Sequence, residues 1–248
     1  MTLIAIGGAE DKQNKAVVLR AVLNAAKDSA SRVHVITTAT NYPDDVAKTY
    51  RDAFARLGVK NCEISHIETA AEAGEQSFLD SIDHADIVFF SGGDQSKLAR
   101  ILKDTPFTDK LQERREKDLI IAGTSAGAAV MSACMVTGGT PEDARRKGGI
   151  KTGDGFGFAE DIIFDTHFMN RGRLPRLFNL VAADPSKTGI GLDEDTAVIL
   201  HKDGKIEVIG SGSVTIVTKS PDATSTDQSF TPADFDVKTL RHGARHRL

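Results

Sequence analysis

Gly123-Thr124-Ser125-Ala126-Gly127 is the stretch from which the rest of this chain can be read. The apolar run before it, Leu119-Ile120-Ile121-Ala122, has the character of a buried strand, and Ala128-Ala129-Val130-Met131 after it begins a helix. In a strand–turn–helix setting Gly-x-Ser-x-Gly is a nucleophile elbow, a sharp turn that lifts the serine oxygen above the sheet. The two glycines let the backbone turn without Cβ clashes. The helix N-terminus presents unpaired N–H groups where negative charge would develop. The bare pentapeptide also fits a Gly/Ser-rich turn; the strand and helix around it favour the elbow.

Outward from the elbow, apolar runs alternate with amphipathic stretches. Strands are expected at residues 2–6, 33–38, 62–67, 87–90 and 119–122. Helices are expected at 14–27 and 44–57, and around 78–81 and 96–102, from apolar residues at helical spacing. Near-continuous apolar strands separated by helices predict a mostly parallel sheet covered on both faces. Functional loops then gather at the carboxyl ends of the strands. Residues 137–157, rich in glycine and charge, read as a surface loop, and Cys134 falls in the elbow helix. A helix at 171–183 tolerates Pro175 only in its first turn. Short strands follow at 197–201, 205–209 and 213–218, with Asp203-Gly204 as a hairpin signal between the first two. Residues 220–228 read as an exposed loop. With no internal repeat and no linker, residues 1–248 are expected to form one α/β domain.

The composition narrows the function. A net charge of −4 gives no electrostatic case for nucleic acid or an anionic membrane. The two cysteines, Cys62 and Cys134, read as buried free thiols rather than a disulfide or metal site. The first apolar stretch stops at Gly7-Gly8, too short for a signal peptide, and no run reaches membrane-spanning length. A cytoplasmic enzyme with no cofactor is the expectation.

A serine hydroxyl needs a base to act as a nucleophile near neutral pH. Of seven histidines, His34, His66, His84 and His201 sit in or beside expected elements, and His242 and His246 fall in a basic tail. These last two are spaced i,i+4 without an evident third metal ligand. His167, in the polar run Asp165-Thr166-His167-Phe168-Met169-Asn170-Arg171, is the best candidate. A carboxylate to orient it is available in Asp193-Glu194-Asp195; three adjacent acids are usually just solvated, so Glu194 matters only if it reaches His167. The chain order serine, histidine, glutamate differs from the serine, acid, histidine order of an ordinary α/β-hydrolase and argues for a different fold.

Ser91-Gly92-Gly93-Asp94-Gln95 follows the strand at 87–90, and its glycines allow backbone N–H groups to approach a ligand. The amides of Gly93 and Ala126 are the expected oxyanion hole. A phosphate cradle is the rival; no P-loop lysine pattern is present, and Glu10 and Asp11 stand where an anion would sit. Arg171, Arg173 and Arg176 can converge from one helix start to bind a carboxylate bidentately, or form a solvated basic face.

These residues resemble the cyanophycinase branch of the serine peptidases, which also contains aspartyl dipeptidases. The resemblance runs in order through Gly7-Gly8-Ala9-Glu10-Asp11, Ser91 to Gln95, Gly123 to Ala128, Asp165 to Phe168 with the three arginines, and Gly189-Ile190-Gly191-Leu192-Asp193-Glu194-Asp195-Thr196-Ala197. It implies a sandwich like that of the class I glutamine amidotransferases, with serine in place of cysteine. It implies Ser125 as nucleophile, His167 as base and then acid, and Glu194 as the residue orienting it. Gln95, Asp165, Arg171, Arg173 and Arg176 then shape the substrate pocket. The family's substrate is cyanophycin, a poly-aspartate with arginine on each β-carboxyl group, cleaved to β-Asp-Arg dipeptides. Members are often homodimers. One departure stands out: the family carries glutamine immediately before the histidine, where this chain has the shorter Thr166, a further substrate-contacting position. An aspartyl or isoaspartyl dipeptidase is the alternative activity, and a non-catalytic binding module on the same fold is a third reading.

Overall fold

The computed structural model describes residues 2–26, 32–140, 142–146, 148–223 and 230–248. The first half runs β1 (Thr2–Ile6), α1 (Val17–Asn24), β2 (Arg32–Ile36), α2 (Pro43–Arg56), β3 (Asn61–Ser65), α3 (Gln76–His84), β4 (Ile87–Phe90), α4 (Gln95–Leu102), α5 (Pro106–Arg115), β5 (Ile120–Thr124) and α6 (Ala126–Ala129). The second half runs β6 (Cys134–Gly138), β7 (Lys151–Asp154), β8 (Ile162–Asp165), α7 (Leu174–Ala183), β9 (Thr188–Leu192), β10 (Thr196–His201), β11 (Lys205–Gly210), β12 (Ser213–Lys219), β13 (Phe235–Arg241) and β14 (Arg245–Arg247).

Eight strands form the central sheet in the order β14-β11-β10-β1-β5-β4-β2-β3. β1, β5, β4, β2 and β3 are parallel, and β10, β11 and β14 extend the sheet antiparallel. Successive side chains of a strand point to opposite faces, and the apolar runs fill both. Leu3, Ala5, Val88 and Phe90 join Leu98, Leu102, Phe107 and Leu111 of α4 and α5 on one face. Ile4, Ile6, Ile87 and Phe89 join Val18, Val22, Tyr50 and Phe54 of α1 and α2 on the other. A second sheet, β13-β12-β9-β8, carries α7, whose Leu177 and Val181 pack with Ile163, Val217 and Phe235. Among the described residues no helix is long and apolar enough to cross a membrane.

The structure corrects the sequence reading in several places. The elbow helix ends after one turn at Ala129, and Cys134 opens β6. Tertiary pairing overrides helix propensity there: the carbonyls of Val130 and Met131 accept from the amides of Phe156 and Ala159. Residues 137–157 are not simply a loop, because β6 and β7 form an antiparallel ribbon with an irregularity between Val136 and Gly138. The basic tail is structured: β13 pairs with β12 along its length, β14 joins the central sheet, and His242 Nδ1 accepts from the Gly210 amide at 3.2 Å. The first helix starts only at Val17, after a left-handed Ala16; Lys27, at its expected end, lies outside the described residues, as do 224–228 of the expected exposed loop. The helix expected from residue 171 starts at Leu174, with Pro175 in its first turn. A left-handed Gly172 closes the single turn Met169–Arg171 before it. Helix α5 went unread, although Thr105-Pro106 is a start signal and Thr105 and Thr108 form a reciprocal cap. Cys62 and Cys134 are free thiols, half-buried rather than buried, and burial pushes the Cys62 thiol up to about 11.

Candidate active site

β5 ends at Thr124 and α6 begins at Ala126, leaving Ser125 alone on the turn with φ 53° and ψ −110°. The turn is held from both sides. The Ser125 amide donates to the Ile6 carbonyl at 3.0 Å, and the Ser125 carbonyl accepts from Ala128 and Ala129. Both glycines of the pentapeptide are required by close approach. A Cβ on Gly123 would lie 2.4 Å from the Gly127 oxygen, and one on Gly127 would lie 2.4 Å from the Phe90 oxygen.

His167 follows β8, again with a left-handed backbone (φ 49°). Its Nε2 lies 3.0 Å from Ser125 Oγ, and its Nδ1 lies 2.7 Å from Glu194 Oε1. A carboxylate only accepts, so the proton sits on Nδ1 and Nε2 is left to accept from the serine hydroxyl. This is the tautomer a general base needs. Asn170 Nδ2 donates to the other oxygen of Glu194 at 3.4 Å. The acidic neighbours have separate work. Asp193 accepts from the Met169 amide (3.0 Å) and the Ser213 amide (2.9 Å), and Asp195 accepts from the Asp11 amide (2.9 Å). Two acids of the triplet pin the loop, and the middle one faces the histidine.

One loop, residues 7–11, touches all three parts. The Gly7 carbonyl accepts from the His167 amide at 2.8 Å, the Gly8 carbonyl accepts from the Asp195 amide at 2.9 Å, and Gly8 itself lies against the His167 ring. Glu10 reaches Thr124, next to the serine, at 2.6 Å. Sequence reasoning used Glu10 to argue against an anion site and as part of the first family motif, but gave it no role, and it did not pick out Asn170.

Beside Ser125 opens a cavity of about 380 Å³. Gly93, Gln95, Ala126, Asp165, Thr166, Arg171, Arg173 and Arg176 all line it, together with Ser125 and His167; Glu194 stands behind His167. Ala126 is the first residue of its helix, so the helix's own bonding leaves its N–H free. Gln95 Nε2 donates to the Val136 carbonyl at 2.7 Å, tying α4 to the β6–β7 ribbon. Asp165, 1 % exposed, accepts from Arg176 Nε at 2.6 Å and also pairs with Arg173 at 3.4 Å. Arg173 donates further to the Thr166 carbonyl at 2.5 Å. Burial lowers Arg173 to about 10, against the opposing pull of Asp165, so it stays charged near neutral pH. Three guanidiniums and one buried carboxylate line the cavity, which leaves it a positive surplus suited to a carboxylate ligand.

A hydrogen-bonded serine, histidine and glutamate, gathered from beyond the carboxyl ends of β5, β8 and β9 in two adjoining sheets, is the arrangement of a serine hydrolase. The chain belongs to peptidase family S51, which matches residues 1–209, and it is a serine peptidase. It is 37 % identical over 216 residues to a cyanophycinase of Synechococcus elongatus, covering 87 % of this chain and 67 % of that one. It is 36 % identical over 254 residues to a cyanophycinase of Trichormus variabilis, covering 99 % of this chain and 85 % of the relative. The crystal structure of a peptidase from an acI-B1 actinobacterium superposes with a TM-score of 0.79 at 20 % identity, covering 100 % of this chain and 96 % of that one. That likeness is one of fold.

Proposed function

We propose that the protein hydrolyses cyanophycin to β-Asp-Arg dipeptides through an acyl-enzyme on Ser125. The observation that carries this reading is the Ser125–His167–Glu194 line opening directly onto the arginine-lined cavity. Ser125 Oγ attacks the scissile carbonyl while His167 Nε2 takes its proton; the same proton then goes to the leaving amine as the C–N bond breaks. Water, deprotonated by His167, attacks the ester, and Ser125 regains its proton. Glu194 holds the imidazole and stabilises its charged form. The Gly93 and Ala126 amides receive the oxyanion. Arg173 and Arg176, arranged by Asp165, take an aspartyl carboxylate together with Arg171, and Gln95 and Thr166 complete the pocket. The cyanophycinase relatives support the choice of polymer.

In the same reading residues 1–248 act as one peptidase domain, since β13 and β14, beyond the family match, pair into both sheets. The enzyme works in the cytoplasm as a homodimer, without nucleic acid or membrane partners. Light scattering of the purified chain tests the dimer.

The decisive experiment is incubation with cyanophycin beside a Ser125→Ala control, followed by mass spectrometry. β-Asp-Arg release by the parent alone is expected. Cleavage of short aspartyl or isoaspartyl peptides with none of the polymer would replace the substrate, and turnover by Ser125→Ala would remove the nucleophile.

A further inference from the structure

Glu10 is a buried carboxylate that the mechanism above does not use. It is 3 % exposed, yet three donors from three elements meet on it. Thr124 Oγ1, at the end of β5, donates to Oε2 at 2.6 Å; Tyr50 Oη, from α2, donates to Oε1 at 2.5 Å; and Lys12 Nζ, on its own loop, lies 2.9 Å from Oε1. Buried charges are rare unless paired and hydrogen-bonded, and this one is both. Tyr50 stays a donor, because burial first and the Glu10 charge second hold its hydroxyl well above the usual tyrosine range. The tyrosine is itself fixed by its packing against Phe89, 5.0 Å between ring centres.

Thr124 is the residue immediately before Ser125, and Ser125 has a backbone conformation that L-residues rarely adopt. Such a conformation persists only where its surroundings over-determine it. On the C-terminal side the short helix does this. On the N-terminal side the anchors are the bond from the Ser125 amide to Ile6 and the bond from Thr124 to Glu10. Ala9, with φ 49°, turns the loop so that Glu10 points inward at this place.

We propose that Glu10 is a positioning residue: through Thr124 it fixes the elbow so that Ser125 Oγ meets His167 Nε2 and the attacked carbonyl in register. The proposal rests on Ser125 being the nucleophile. Its mark is a loss in kcat rather than in substrate affinity, because neither Glu10 nor Thr124 lines the arginine cavity and Glu10's partners are Tyr50, Thr124 and Lys12.

The test compares Thr124→Val, Thr124→Ser, Glu10→Gln and Ser125→Ala on cyanophycin, with thermal melts of each. Thr124→Val keeps the shape and removes the donor. It should lower kcat roughly ten- to a hundred-fold, the scale of a displaced reacting group, with KM within about twofold. Thr124→Ser, which keeps the hydroxyl, should restore most of the loss. Glu10→Gln keeps one oxygen able to accept from Thr124, so it should lose less than Thr124→Val, and combining the two should add little to the loss of the valine variant. If Glu10→Gln does not fold, the valine–serine pair carries the test alone. Unchanged kcat in Thr124→Val, or equal losses in the serine and valine variants, would overturn the role of Glu10. Turnover by Ser125→Ala would instead overturn the nucleophile, so the two failures are told apart.

Discussion

The imidazole of His167 lies against the backbone of Gly8 with no room for a side chain between them. A Cβ on Gly8 would sit 2.4 Å from Cε1 and 2.5 Å from Nε2 of that ring. The ring cannot slide away without breaking its bond to Ser125 or to Glu194. The glycine also has φ +100°, which any L side chain would strain.

Gly8→Ala should therefore remove activity while leaving a folded protein. A loss of about 10²-fold or more in kcat/KM is expected, since a misplacement near 1 Å is enough for that. Circular dichroism and a thermal melt would show the fold retained at a lower Tm. Full activity in Gly8→Ala would mean that the imidazole has freedom this packing denies it.

Asp165 and Arg171 separate two jobs within the cavity. Asp165 is buried and holds Arg173 and Arg176, whose side chains are 16 % and 17 % exposed. Arg171 is exposed. Removing the charge of Asp165 leaves two neighbouring, largely buried cations facing each other. Breaking one partner of a buried pair costs about 3–5 kcal/mol; the partial exposure of the arginines places Asp165→Asn at or below the lower end. Urea unfolding should show that loss, together with a raised KM. Arg171→Ala should raise KM with stability changed by less than about 0.5 kcal/mol. Equal stability of Asp165→Asn and the parent would mean that the arginines do not depend on their carboxylate.

Much of this site was legible because its residues sit where parallel strands end. The runs at 87–90 and 119–122 are continuously apolar, which only a sheet covered on both faces accommodates. The glycine motif and the elbow follow them directly. The acid triplet read as solvated or catalytic, and only its three-dimensional partners sort it into one residue hydrogen-bonded to His167 and two loop anchors. Glu10 was opaque for the same reason: its partners Tyr50 and Thr124 lie 40 and 114 positions away. The C-terminal strands β10, β11 and β12 were read from their apolar runs, whereas the β6–β7 ribbon and the last two strands, β13 and β14, were missed because glycine, charge and short length mimic loops. Their identity comes from long-range pairing that local pattern does not record.

His34 gives the fold a pH dependence separate from that of catalysis. It lies within β2, 1 % exposed, with Nε2 2.7 Å from Ser65 Oγ; Nδ1 has no hydrogen-bond partner among the described residues. Burial lowers it to about 4, against the opposing effect of Glu63, from its usual 6.5. The unfolded chain therefore binds the proton more readily than the folded one. Stability is full above the unfolded value and is lost as pH falls from about 6.5 towards about 4. The full loss is on the order of 3 kcal/mol, with roughly 2 kcal/mol of it gone by about pH 5. Asp83 and Asp86, held below the usual carboxylate range, act in a lower window, because their contribution is lost only once pH falls through that range. Urea unfolding at about pH 7 and about pH 5 should show the drop in the parent, and His34→Asn should flatten it. A slope in His34→Asn as steep as the parent's would place the titrating group elsewhere.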